Sequence, residues 1–199
     1  MVDYKTGKKD FDYCDIFNGL GLQMLLYLFA LEEEGTLLLG SQPIPAGVQY
    51  FPARVPLISA NGLLSDEEAQ IAREKEWKRK GLLLDDDQVL QAMEDYDKPL
   101  RLNYTLKKDG ARSGDLADRR QLRLLKAYVY TLLSNLVDEI GSGNVDPNPY
   151  TRGNAHNACS FCPYGAICHP AYVEERRNYK TMTAQRFWTE VEKEMKEHG

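Results

Sequence analysis

The chain has 199 residues, 43% of them hydrophobic, and a net charge of −5. That length buries one sizeable core, or one core and a small appendage, while no run approaches the ~18 apolar residues of a membrane span and residues 1–30 lack a secretory layout, so a cytoplasmic protein with no membrane partner is expected. Four cysteines, three of them bunched near the C-terminus, do not make a spread disulfide framework and point to metal instead, and the acidic balance argues against a broadly basic DNA-binding surface.

Val2 to Gly7 reads as a strand closed by turn chemistry. Strand side chains alternate, so Asp3 and Lys5 share one face while Val2 and Tyr4 point into the opposite layer. Residues 12–33 read as one helix, with Ile16, Leu20, Met24, Tyr27, Leu28 and Leu31 at helical spacing. Gly19 and Gly21 inside it each cost about 1 kcal/mol relative to alanine, so something wants the backbone close there: tight helix-on-sheet packing, ahead of a DNA backbone. Gln23 and Tyr27, four apart, share a face. Gln23 stands in an otherwise apolar stripe, where a buried amide is paired or functional because it is costly otherwise.

Ala46 to Arg54, rich in Val, Tyr and Phe, reads as a strand pairing with the first. Asp66 to Lys80 follows as a polar helix with Ser65 as N-cap, and Asp85 to Glu94 as a short one. Arg101 to Leu106 has weak strand alternation, and Lys107 to Gly114 is a turn or loop. Leu116 to Ile140 is the second long helix, its stripe of Leu122, Leu125, Val129, Leu132, Leu133, Leu136 and Ile140 expected to cover a sheet face. An extended connector, Asn144 to Asn157, leads to the cysteines, and Thr183 to Glu197 forms the last helix, with Phe187, Trp188, Val191 and Met195 on one side. Lys75 to Lys80 and Arg176 to Lys180 read as solvated basic faces rather than phosphate contacts. The sequence contains no Walker A motif.

Each candidate group has a bland alternative. Asp-x-Lys in isolation is more often a surface salt bridge at a strand end. Gln23 can be a structural hydrogen-bonder to a loop, and Tyr27 a core residue with a wet hydroxyl. Cys159, Cys162 and Cys168, spaced Cys-x2-Cys-x5-Cys, can put three thiolates round one centre. Zinc would take them with an imidazole from His156 or His169; a 4Fe-4S cluster needs a fourth cysteine. The residues alone leave both open.

Asp-Tyr-Lys-Thr-Gly followed by a helix carrying Gln-x-x-x-Tyr resembles motif III and the Gln-Tyr motif of RecB-family nucleases, a branch of the PD-(D/E)XK superfamily. Pro45 to Phe51, Lys80 to Asp85, Leu106 to Gly110 and the three late cysteines extend the likeness over nearly the whole chain. Together they resemble the C-terminal nuclease domain of the AddB-type component of helicase-nucleases.

The resemblance implies an α/β fold, a partial restriction-endonuclease-like core of mixed sheet flanked by helices over residues 1–141, then a cysteine-bearing iron-sulfur segment and C-terminal helix over 142–199. It implies a Mg2+-dependent DNA exonuclease acting in double-strand-break resection, with DNA and an AddA-like helicase-nuclease subunit as partners. Asp3 would hold magnesium, Lys5 the attacking water, and Gln23 and Tyr27 the polar shell around them. Cys159, Cys162 and Cys168 would hold a 4Fe-4S cluster whose fourth ligand lies upstream; Cys14, the remaining cysteine, is not where the family keeps that ligand. A further metal-binding acid, and often a histidine, precede the Asp-x-Lys strand in the family. The chain is therefore expected to be the C-terminal part of a longer protein, and to be inactive alone. A different class of reading is a non-catalytic DNA-end clamp stapled by its metal-cysteine site.

Overall fold

The computed structural model describes residues 1–7, 9–53, 57–60, 62–94, 99–153, 156–168 and 176–197. In chain order the elements are β1 (Val2–Lys5), α1 (Tyr13–Phe17), α2 (Gln23–Glu34), α3 (Thr36–Leu39), β2 (Gly47–Pro52), α4 (Asp66–Glu76), β3 (Lys80–Leu84), α5 (Asp87–Met93), β4 (Tyr104–Leu106), β5 (Arg112–Gly114), β6 (Leu116–Ala117), α6 (Arg119–Gly141), β7 (Tyr150–Arg152), β8 (His156–Asn157), α7 (Gly165–Cys168), β9 (Arg177–Asn178) and α8 (Ala184–Glu197). They fall into two compact units, Met1–Asp12 with Leu22–Lys126, and Tyr13–Gly21 with Ala127–Gly199.

The first unit is built on a mixed sheet in the order β1-β2-β3-β6. As expected, β1 pairs with β2, and the pairing is parallel; β3 then runs antiparallel to β2 and parallel to β6. Charge patterning alone carries α4 through to Lys80, but the helix stops at Glu76 and Lys80 opens a strand. Lys-Gly-Leu-Leu-Leu is a short run whose three leucines are all buried, the pattern of an interior strand. Gly81 permits it. Its φ is 147°, and a Cβ there would stand 2.0 Å from the Val48 carbonyl oxygen of β2, so no larger residue fits without moving the strand pair.

Because rows across a sheet point the same way, Asp3, Tyr50 and Lys80 lie on one face, together with Val48, Leu82 and Leu84. Helices α2 and α6 belong to that face: a pocket of about 430 Å³ is lined by Glu32 of α2, Leu84 of β3, and Arg119, Leu122 and Arg123 of α6. The other face carries Leu83, which packs with Leu90, Leu102 and Tyr104. α5 starts on Asp86, whose carboxylate accepts from the Gln88 and Val89 amides, and α4 starts on the capping box of Ser65 and Glu68. The weak strand expected at 101–106 is β4, folded against β5 as a hairpin. α6 begins three residues later than expected, since Leu116 and Ala117 join the sheet and Asp118 and Gln121 cap each other. Its stripe is buried at Leu122, Leu125 and Val129 but exposed at Leu136 and Ile140, so only its first half is covered. Arg54, the last residue of the expected second strand, lies outside the described residues.

The helix expected over 12–33 is two helices. The Leu20 amide donates to the Asp15 carbonyl and that of Gly19 to Ile16, the paired bonds that stop a helix with a left-handed residue. Gly19 is that residue, at φ 79°, and Gly21 follows at 67°. Nothing lies within 4 Å of the Cβ position of Gly19, so its role is the turn and not close packing.

In the second unit Phe187 and Val191 of α8 are fully buried. Phe187 meets Tyr13 and Phe17, and the Tyr128 hydroxyl donates to the Phe17 carbonyl at 2.7 Å. A small sheet, β8-β7-β9, occupies part of the region read from sequence as an extended connector.

Candidate active site

The β1 side chains divide as the alternation requires. Asp3 and Lys5 share a side, and the Lys5 ammonium sits 2.6 Å from the Asp3 carboxylate. Both are partly accessible, so the pair is open to a ligand. On the reverse side, Val2 and Tyr4 face solvent rather than a packed layer, with the Tyr4 ring 5.3 Å from that of Phe51.

Tyr50, level with Asp3 on β2, completes the floor. It is buried, and the Lys5 ammonium stands 6.0 Å from its ring centroid, a distance at which the ring's negative face still attracts a cation. Burial, and then the Asp3 charge beside it, push the Tyr50 phenol above its ordinary range. Lys80 is the next residue along the row, one strand further, and holds Asp10 loosely at 3.5 Å. Composition and motif alone do not single out Tyr50, Lys80 or Asp10. The signal is present in the alternation of Val48-Gln49-Tyr50 and in the Gly-Leu-Leu-Leu run, which together fix the register that brings the row together.

Gln23 and Tyr27 occupy successive turns of α2, and the Gln23 amide donates to the Tyr27 hydroxyl at 3.1 Å. Both are exposed, which corrects the expectation that Gln23 stands in the buried stripe; that stripe is Met24, Leu25, Leu28 and Phe29. Gln23 is the first residue of its helix and faces outward with Tyr27, so the polar pair is free to meet a ligand.

Among the described residues no disulfide joins the cysteines. Cys159 is half-buried and Cys162 and Cys168 are exposed, on a segment folded by bonds from the Cys162 amide to the Cys159 carbonyl and from Cys168 to Tyr164. Cys14 is buried and its thiol donates to the Lys180 carbonyl at 3.0 Å. His169 and the side chain of His156 lie outside the described residues. Among the described residues no three His, Cys, Asp or Glu side chains gather closely enough to enclose a metal ion. The late cysteines therefore offer sulfur donors of the right chemistry without a closed set.

Residues 1–169 match the PD-(D/E)XK nuclease superfamily. The chain belongs to that superfamily. Its mixed sheet with flanking helices is the superfamily's type of core. The chain is also similar to proteins named as the B-type subunit of an ATP-dependent helicase/deoxyribonuclease: 35% identical to that of Acetivibrio thermocellus over 92% of this chain and 16% of the relative, 31% to that of Clostridium kluyveri over 99% and 18%, and 38% to that of Moorella thermoacetica over 84% and 15%. It thus spans less than a fifth of the length of these relatives. No helix among the described residues is long and apolar enough to cross a membrane.

Proposed function

We propose that this chain is nuclease machinery of an AddB-type helicase-nuclease component, cutting phosphodiester bonds of one DNA strand as an AddA-like partner subunit unwinds, in double-strand-break resection and recombinational repair in the cytoplasm. The observation that carries the reading is the Asp3–Lys5 pair, an acid and an amine 2.6 Å apart on one side of β1. Superfamily membership supports it.

Magnesium, when bound, polarises the phosphate and acidifies a water molecule. Asp3 gives that ion one hard oxygen. Such an ion would keep several waters and take substrate phosphate oxygens beside one or two carboxylates, which suits a site where the described residues form no closed side-chain cage. Lys5 orients the attacking water and offsets the negative charge that grows on the phosphorane. Gln23 and Tyr27 supply outward-facing donors and acceptors to the DNA strand or to water. With Asp3 the one carboxylate assigned to the ion among the described residues, the chain alone is expected to be a poor nuclease. Cys159, Cys162 and Cys168 provide three thiolates of a 4Fe-4S cluster, with zinc as the alternative, and the fourth ligand comes from elsewhere in the whole protein.

The test is Asp3→Ala in the whole helicase-nuclease, assayed on labelled linear DNA with magnesium. Loss of degradation of one strand with unwinding retained is the expected result. Unchanged cleavage rejects the reading and leaves a non-catalytic DNA clamp.

A further inference from the structure

Lys80 has no task in the nuclease reading, on which the present inference rests. It lies in one row with Asp3 and Tyr50, on the same face, two strands across from Asp3. Two strand spacings are ~10 Å, so the stem of Lys80 is rooted well to one side of the point that Asp3 and Lys5 flank. It is within reach of a neighbouring phosphate on the same DNA strand.

Its surroundings suit such a task. The Lys80 side chain is 46% exposed, and its partner Asp10, 3.5 Å away, is 72% exposed. An ion pair so long and so wet is weak. The stem of Lys80 is nonetheless anchored, because its strand continues into Leu82, Leu83 and Leu84, all buried. A mobile charge on a fixed stem, with a weak carboxylate as placeholder, is suited to exchanging that carboxylate for a phosphate.

We propose that Lys80 is a second phosphate-binding point of the site, occupied by Asp10 when DNA is absent and by a phosphodiester group of the DNA strand when it is present. The two residues then act on DNA with opposite signs. Lys80 attracts the strand and Asp10 competes with it.

The experiment is fluorescence anisotropy of this chain with a short labelled single-stranded oligodeoxynucleotide, in EDTA so that nothing is cut, over a range of salt concentrations. Lys80→Ala is expected to weaken binding roughly five- to tenfold at low salt and to flatten the salt slope by about 0.7, the share of one phosphate on a single strand. Lys80→Arg keeps most of the affinity, because the charge is retained. Asp10→Asn raises affinity by up to about fivefold, the most that releasing one exposed pair returns. Lys108→Ala, on the exposed turn between β4 and β5, is the control. Binding and slope unchanged in Lys80→Ala, or a loss of binding in Asp10→Asn matching that in Lys80→Ala, overturns the inference. The second result would make the pair a structural tie. A silent Lys80→Ala beside an Asp3→Ala enzyme that no longer cuts DNA would defeat this inference alone, whereas an Asp3→Ala enzyme that still cuts defeats the nuclease reading whatever Lys80 does.

Discussion

The Asp3 carboxylate and the Lys5 ammonium are 2.6 Å apart, with 28% and 36% of their side chains exposed. A pair this accessible contributes little to folding, about 0–1 kcal/mol, yet it puts an oxygen ligand and a cation side by side where a phosphate can enter. Stability and activity therefore separate at these positions. Asp3→Asn and Lys5→Ala are each expected to melt within a few degrees of the parent in thermal denaturation, while cleavage by the whole helicase-nuclease falls by about a hundredfold or more.

Gln23 and Tyr27 bond to each other on the outside of α2. Exposed substitutions of this kind change stability by less than about 0.5 kcal/mol. Gln23→Ala and Tyr27→Phe are expected to leave the denaturation midpoint in place and to lower cleavage in the whole enzyme. A midpoint that drops with activity would make the pair structural.

The raised Tyr50 phenol gives a pH signature. Burial first, and then the neighbouring Asp3 charge, hold it protonated above its ordinary value of 10. A group whose folded pKa is raised contributes stability that is complete below the unfolded pKa and is lost as pH rises through the folded one. Stability is thus expected to fall from pH ~10 upward. Asp3→Asn should move the Tyr50 transition to lower pH in a tyrosinate absorbance titration, with Tyr50→Phe identifying which transition it is.

Gly81→Ala tests the strand on which the row depends. The added carbon meets the Val48 carbonyl oxygen at 2.0 Å, and the backbone conformation is one that side chains avoid. A loss of about 3 kcal/mol or more is expected in urea denaturation.

For the cysteines the expectation concerns iron. Cys159→Ser, Cys162→Ser or Cys168→Ser in the whole protein should each lower iron and acid-labile sulfide, whereas Cys14→Ser should not, since the Cys14 thiol is buried and engaged with the Lys180 carbonyl. Whole protein that contains neither iron nor sulfide would reject the cluster.

What is legible in the sequence follows alternation and capping. The shared face of Asp3 and Lys5 and the Ser65 cap depend on residues close in sequence, whereas the pairing of the first two strands joins segments far apart in it and is legible only because each is a bounded, strand-forming run; the structure has all three. The break at Gly19 is hidden because apolar spacing runs on through it; positive φ overrides the spacing, and two glycines two apart are the clue. Lys80 reads as helical because the charged stretch before it is helical, and only the register with β2 reveals its place beside Tyr50. Gln23 falls in the buried stripe only if one continuous helix runs through it. The helix restarts at Gln23, whose immediate neighbours Leu22 and Met24 are the buried ones.

Lys80 and the leucines that follow it belong to a single strand, sealed against β2 by a glycine that admits no replacement. The outermost charge of the site is thereby coupled to some of the most slowly exchanging amides expected in the molecule. Warming should consequently not loosen this part of the surface ahead of the rest: hydrogen exchange at residues 81–84 and loss of the Lys80 contribution to DNA affinity should share one temperature dependence, that of cooperative unfolding of the sheet.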